Sequence, residues 1–352
     1  MPPLPKDLRK ILIRSTNWIG DAIMTTPAVR TIRQNFPAAE ITLLALPWVT
    51  DVFRASSRVD RILPYEREGR HAGLRGKLAL AAELRGERFD AAILLQNAFE
   101  AAFISLLAGV PIRAGYSTDG RGLLLTHGVK RTAEIKNRHQ VHYYQEMLRG
   151  LGCVPGADDL ELKVPEEGEL WATDFLREAG LEGRKIIGLN PGASYGPAKR
   201  WPSEKFALLA GQLHGSPDTV LLLFGTDADM EVTMQIKESC GDSSRVINLA
   251  GRTTLAQAMG LISRCHAFVT NDSGLMHVAA ALASPTVAIF GSTNPVTTGP
   301  FSDKTSVVRF EIACSPCLET HCPKKHFQCM EGIVVDDVLH AVQQHLAMQA
   351  SL

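Results

Sequence analysis

Residues 10–37, KILIRSTNWIGDAIMTTPAVRTIRQNFP, decide how the rest of the chain is read. "KILIRST" is an apolar run of the kind found in a strand buried on both faces. From Ala22 to Asn35 the apolar residues fall at helical spacing. Gly20 and Asp21 stand where the strand hands over to the helix. Gly20 permits a close backbone approach. Asp21 fits two roles: a favoured residue at a helix start, and a reactive carboxylate at the carboxyl end of a parallel strand, where α/β sheets build their sites.

The same alternation continues outward. "EITLLALP" from Glu40, "RILPY" from Arg61, "DAAILLQ" from Asp90 and "IRAGYS" from Ile112 read as strands. Helical patterns lie between them, at Val49–Ser56, in "HAGLRGKLALAAELRGERF" and at Phe99–Leu107. The pattern lapses at residues 152–169, "GCVPGADDLELKVPEEGE", which reads as a linker rich in Pro, Gly and acids. A second series follows, with strands in "KIIGLNPG", "TVLLLFGT", "RVINLAG", "AFVTND", "TVAIFGS" and "TSVVRF" and a final helix at about 334–350. The expected fold class is α/β: two Rossmann-like, doubly wound parallel-sheet domains facing a cleft, at 1–165 and 166–352. The last helix is expected to return to the first domain.

Composition narrows the function classes. The chain has 352 residues, 45% hydrophobic and 21% charged, enough for two cores without staples. No apolar run reaches the roughly 18 residues of a membrane span. "MPPLPKDLRK" lacks an apolar export signal, so a reducing cytosol is the expected compartment for the seven cysteines. Residues 1–165 carry 23 Lys+Arg and 17 Asp+Glu, a balance of +6, and residues 166–352 carry the compensating −6. That fits chance with neutralising contacts between the halves, and it equally fits a first half that meets an anionic partner. No basic helix with interleaved aromatics suggests nucleic acid.

Four loops can carry chemistry. The first is the Asp21 loop. The second, "NPGASYGPAKRWP" (Asn190–Pro202), offers open N–H groups, Ser194 and Lys199 to an anion, and also fits a flexible turn. In the third, "FGTDADME", Thr226 and Asp227 suit ribose hydroxyls or helix capping. In the fourth, "TNDSGLMHVAAAL", Asp272, Ser273, Gly274 and His277 gather at a strand end where a helix opens, an arrangement suited to phosphate. Cys314, Cys317, Cys322 and Cys329 give C-x2-C-x4-C-x6-C. That spacing fits a structural zinc, and it equally fits buried thiols or a redox-labile loop. No G-x-G-x-x-G follows a strand, and G-x-x-x-x-G-K-[ST] and H-E-x-x-H are absent.

Four stretches together, "ILIRSTNWIGDAIMTTPAVRTIR", "PGASYGPAKRWP", "NDSGLMHVAAALASPTVAIFGSTNP" and "CSPCLETHCPKKHFQCM", resemble the ADP-heptose:lipopolysaccharide heptosyltransferases of glycosyltransferase family 9. "NWIGDAIMTTPA" and the cysteine-rich tail place the resemblance nearest the heptosyltransferase II group. It implies a GT-B fold with the acceptor on the first domain and the nucleotide-sugar on the second. It implies Asp21 as general base of an inverting transfer from ADP-heptose to the first heptose of the lipopolysaccharide inner core. Ser194, Lys199, Thr226, Asp227, Asp272, Ser273, Gly274 and His277 then fall to the donor. Asn17, Gly20, Arg58, Arg61, Arg113, Arg121, Lys136 and Arg138 are candidates for the lipid A-Kdo-heptose acceptor. No cofactor is expected for catalysis. The expected protein is a monomer in the cytoplasm, peripheral to the cytoplasmic face of the inner membrane. The alternatives are heptosyltransferase I or another ADP-heptose transferase, a GT-B-like sugar-nucleotide epimerase, and a non-catalytic nucleotide-sugar-binding protein.

Overall fold

The computed structural model describes residues 2–241 and 243–350. The chain divides into two compact units between Lys163 and Val164, inside the linker expected at 152–169. Each unit is organised around its own sheet.

The first sheet contains β1 (Lys10–Arg14), β2 (Glu40–Ala45), β3 (Arg61–Pro64), β4 (Ala91–Leu94), β5 (Ile112–Tyr116) and β6 (His127–Val129), in the order β3-β2-β1-β4-β5-β6. Its pairings are all parallel. β6 was not visible as a strand in the sequence, being three residues long with a central glycine. The second sheet contains β7 (Lys185–Asn190), β8 (Thr219–Leu223), β9 (Val246–Asn248), β10 (Ala267–Asn271), β11 (Thr286–Phe290) and β12 (Thr305–Arg309), in the order β12-β11-β10-β7-β8-β9. Numbered within its own unit, the second sheet repeats the 3-2-1-4-5-6 order of the first. That order is the dinucleotide-fold order, with a switch point where strand order reverses. The reversal lies between β1 and β4 in one unit and between β7 and β10 in the other, and both pairs are hydrogen-bonded neighbours. Crevices at the carboxyl ends of these pairs are where such folds bind ligands.

The central strands β4, β8, β10 and β11 are buried at every residue, as near-continuous apolar runs in a parallel sheet should be. The helix expected at Ala22–Asn35 is instead two, Ile19–Met24 and Thr26–Asn35. Pro27 explains the break, because it has no N–H and its ring clashes with the carbonyl four residues back. That carbonyl, on Ile23, accepts a 2.8 Å hydrogen bond from the Thr26 hydroxyl, and the Ala22 carbonyl accepts one of 2.6 Å from Thr25.

The terminal helix Val335–Ala350 corrects another expectation. Its packing partners are β10, β11, β12 and the helix Ser203–His214, all in the second unit. Val338 and Val342 join that unit's apolar core. Among the described residues no helix is long and apolar enough to cross a membrane.

Candidate active site

In the first unit the switch-point crevice is organised by a buried arginine that sequence reasoning did not single out. Arg14 ends β1 and is 4% exposed. Its guanidinium donates to the carbonyls of Ser15 and Leu44 and, at 2.8 Å, to Asn17 Oδ1. It also lies over the Tyr65 ring, 5.2 Å from the centroid. Burial pushes the Arg14 pKa down to about 10, which leaves it cationic at neutral pH. Tyr65 donates to Glu100 at 2.8 Å, and Lys77 closes on the same carboxylate at 2.5 Å. Burial pushes the Glu100 carboxyl up, but the bonds from Lys77 and Tyr65 outweigh it and leave it below the usual range.

This frame holds the loop that leads to Asp21. Trp18 occupies the cap position of the helix Ile19–Met24, and Asp21 sits in the first turn. Asp21 is therefore not the capping residue. It is half-buried, and its charge reaches the buried Tyr144 phenol, whose pKa is raised first by burial and then by Asp21. Gly20 is buried within the same turn, and Asn17 is half-exposed.

The remaining acceptor candidates separate. Arg58 and Arg61 lie just before and at the start of β3, on the opposite sheet edge from Asp21, and are held by Glu161 at 3.0 Å and Glu87 at 2.8 Å. Arg113 is near the start of β5, with its guanidinium on the carbonyls of Val110 and Leu124. Arg121 is fully buried and bonds the carbonyls of Tyr116 and Gln96 and, at 2.9 Å, Asn97 Oδ1. It is a brace for the loop after β4, with no guanidinium face open to a ligand. Arg138 pairs with Glu146 at 3.0 Å. Lys136 is exposed beyond β6. Of the six basic candidates, only Lys136 and Arg138 follow a strand's carboxyl end on the surface.

The second unit brings its candidates together more closely. Asn190, the last residue of β7, donates 2.9 Å bonds to the hydroxyls of Thr270 and Ser273, tying the loops after β7 and β10. Asn271 reaches the Pro191 carbonyl at 2.7 Å and receives the Trp201 N–H at 3.1 Å. Ser273 caps the helix Gly274–Ala281, accepting from the Met276 N–H. Gly274 is that helix's first residue, and His277 is buried one turn in. Lys199 makes a 2.6 Å ion pair with Asp272, which also accepts from the Thr293 hydroxyl at 2.6 Å. The lysine's ammonium stands 4.7 Å from the Tyr195 ring centroid. Ser194 is exposed on the same loop. Thr226 is spent locally: its N–H and hydroxyl both bond Asp229 Oδ2, at 2.9 and 2.8 Å. Asp227 is exposed beside it.

The cysteine loop supports the Lys199 loop. Ala198 N–H donates to the Thr320 carbonyl at 3.1 Å, and the Tyr195 hydroxyl to the Leu318 carbonyl at 3.1 Å. Gly196, at φ +150°, is required here, because a Cβ would stand 2.5 Å from the Thr320 oxygen. All seven cysteines are free thiols. Cys314 Sγ lies 3.9 Å from His326 Nε2. Among the described residues no three His, Cys, Asp or Glu side chains are placed to hold an ion, while the charges of Cys317, Cys322 and Cys314 reach Cys329 and add to the rise that burial gives its thiol pKa. What the loop does visibly is brace the segment that carries Lys199.

A family model described as glycosyltransferase family 9 (heptosyltransferase) matches residues 77–328. The chain is 35% identical to lipopolysaccharide heptosyltransferase 2 of Salmonella typhimurium over 85% of its length and 88% of the relative's. It is 33% identical to lipooligosaccharide heptosyltransferase 2 of Haemophilus ducreyi over 96% and 99%. This chain belongs to glycosyltransferase family 9. The solved structure of Escherichia coli ADP-heptose lipopolysaccharide heptosyltransferase II superposes with a TM-score of 0.79 at 31% identity, over 97% of this chain and 99% of that one. The two sheets are those of the GT-B architecture, and the family 9 chain is a glycosyltransferase. The family match begins after Asp21, but the Haemophilus ducreyi relative extends over almost the whole chain.

Proposed function

We propose that this enzyme moves heptose from ADP-heptose to the first heptose of the lipopolysaccharide inner core, with inversion at the anomeric carbon. The observation that carries this reading is the near-complete likeness to heptosyltransferase 2 chains, 96% of this chain against 99% of the Haemophilus ducreyi enzyme. The first unit takes the acceptor and the second the nucleotide-sugar. Asp21 accepts the proton of the attacking hydroxyl as its oxygen bonds to the anomeric carbon, and ADP departs from the opposite face. A positioned base of this kind contributes about 10²–10⁴-fold in rate.

Negative charge grows on the diphosphate as the bond breaks. Lys199 and the N–H groups opening the helix Gly274–Ala281 are the groups suited to stabilise it. In the free enzyme Lys199 is held by Asp272. The diphosphate takes up part of that charge, while Thr293 keeps the carboxylate in place. Ser194, exposed on the same loop, is a neutral donor to the phosphate oxygens. The proposed workplace is the cytoplasmic face of the inner membrane, where the enzyme acts as a monomer held peripherally through its lipid-linked acceptor.

The test is turnover of ADP-heptose against two acceptors, one bearing the first heptose and one lacking it. Product is expected only with the first, and equal turnover on both would overturn the acceptor assignment. Asp21→Asn is expected to lower kcat by about 10²–10⁴-fold with ADP affinity intact. A kcat within tenfold of wild type would remove Asp21 from its role.

A further inference from the structure

Trp18 and Trp48 are the two tryptophans with broad open surfaces in the first unit, 61% and 45% exposed. Single exposed apolar residues are ordinary. These two are coupled. Trp48 follows β2 and Trp18 follows β1, and β1 and β2 are hydrogen-bonded neighbours, so the two loops leave the same sheet edge about 4.8 Å apart. The Trp48 indole N–H donates at 2.9 Å to the carbonyl of Asn17, the residue before Trp18. The Asn17 side chain is in turn held at 2.8 Å by buried Arg14. An exposed indole is thus fixed by its polar edge to a rigid frame, which leaves its ring face to solvent.

Trp18 breaks a local rule. It occupies a helix cap position, where Ser, Thr, Asp or Asn would bond an open N–H. Its side chain makes no capping bond, and only its carbonyl serves the helix, accepting from Ala22 N–H at 2.9 Å. The position is three residues before Asp21. A large aromatic ring at that point forgoes capping and burial together, which points to a ligand.

We infer that Trp18 and Trp48 form a shelf on which a pyranose ring of the acceptor rests beside Asp21. The inference depends on the acceptor being a saccharide, as proposed above. One face of a pyranose presents C–H groups, and the negative face of an indole packs against them. The hydroxyls at the ring's edge stay open, so one can be presented to Asp21. A neutral shelf also suits this place, because a carboxylate there would repel an anionic acceptor.

The experiment compares wild type with Trp18→Ala, Trp48→Ala and Trp18→Phe, using a delipidated oligosaccharide acceptor that ends in the first heptose. Wild-type turnover must be seen first, and its absence would strike the proposed function rather than the shelf. Given turnover, each alanine variant is expected to raise the acceptor KM by about 3- to 12-fold, the scale of one lost aromatic contact. The donor KM and the ADP affinity should stay unchanged, and Trp18→Phe should recover part of the loss. Acceptor should also perturb tryptophan fluorescence in wild type and lose most of that effect in a Trp18→Phe, Trp48→Phe double variant. Acceptor KM values within twofold of wild type in both alanine variants would overturn the shelf. So would unchanged KM together with lost sedimentation on anionic phospholipid vesicles, which would make the pair a membrane contact.

Discussion

At the residue scale, the proposed donor site turns on one ion pair. Lys199 and Asp272 stand 2.6 Å apart with 14% and 6% of their side chains exposed. A charge-assisted bond to phosphate contributes about 1.5–3 kcal/mol, so Lys199→Ala should weaken ADP binding by about 10- to 100-fold in a calorimetric titration. Unchanged affinity would exclude the lysine from the site. Asp272→Asn keeps a partner for Thr293 but leaves the lysine without its counter-charge, and removing one member of a buried pair is costly. That variant should melt lower than wild type, and ADP should raise its melting temperature by more than it raises the wild type's. Lys199 and Asp272 were both visible in the sequence as members of separate loops. Their pairing was not, because it depends on β7 and β10 being neighbours. Arg121 was a candidate for the acceptor and Arg14 was not singled out, for a related reason: a sequence shows the charge, and only the fold shows that each guanidinium is held by main-chain carbonyls.

The thiols offer a second test at this scale. Burial pushes the Cys265 thiol up to about 12 and the Cys153 thiol up to about 11. Backbone N–H groups, that of Phe327 foremost, hold Cys322 below the usual thiol value. The thiolate is the reactive form. A lowered pKa enlarges the thiolate fraction at pH 7.5 and a raised one shrinks it. Timed alkylation read by mass spectrometry should therefore label Cys322 first and Cys153 and Cys265 only on unfolding. Labelling of Cys265 at a rate equal to that of Cys322 in the native protein would contradict this.

At the scale of elements, most strands were legible, and where they start more closely than where they end. Apolar runs separated by helical periods identify parallel strands, and Phe99–Leu107 forms the helix its spacing implies. The break at Thr25 was missed because periodicity runs on across it, with Pro27 as its visible signal. The contact between the helices Glu166–Glu178 and Leu255–Ile262 shows what periodicity omits. A Cβ on Gly260 would collide with the Gly168 carbonyl oxygen, and one on Gly168 with the Ala256 oxygen. The helices approach backbone to backbone because both residues lack side chains. Overpacking such a contact costs about 1–3 kcal/mol. Gly260→Val should lower the urea midpoint by that amount divided by the m-value, whereas Gly211→Ala, on a helix face with open space, should leave it unchanged or raise it. Equal midpoints for Gly260→Val and wild type would show that the helices can part at no cost.

At the scale of the molecule, the repeat of one sheet order in both units explains why four loops distant in sequence were readable as candidate sites. Each candidate loop follows a strand at its carboxyl end, where a doubly wound sheet offers open N–H groups and no competing ladder. What sequence could not supply was docking: the terminal helix carries an apolar stripe that would suit either unit, and it lies on the second. The division of labour between units can be read by hydrogen exchange, because a ligand slows exchange where it binds by stabilising the closed state of nearby segments. ADP alone should protect residues 190–202 and 270–281 most strongly, since these carry Lys199 and the capped helix. It should leave residues 14–24 and 46–50 near their unliganded rates. A delipidated acceptor should reverse the pattern, slowing the Asn17–Asp21 segment, whose frame of Arg14 and Trp48 hydrogen bonds is already set in the free enzyme. If ADP protected the Asp21 loop as strongly as the Lys199 loop, the assignment of donor and acceptor to separate units would fail. The general-base role would then have to be reargued for a carboxylate that also touches the nucleotide.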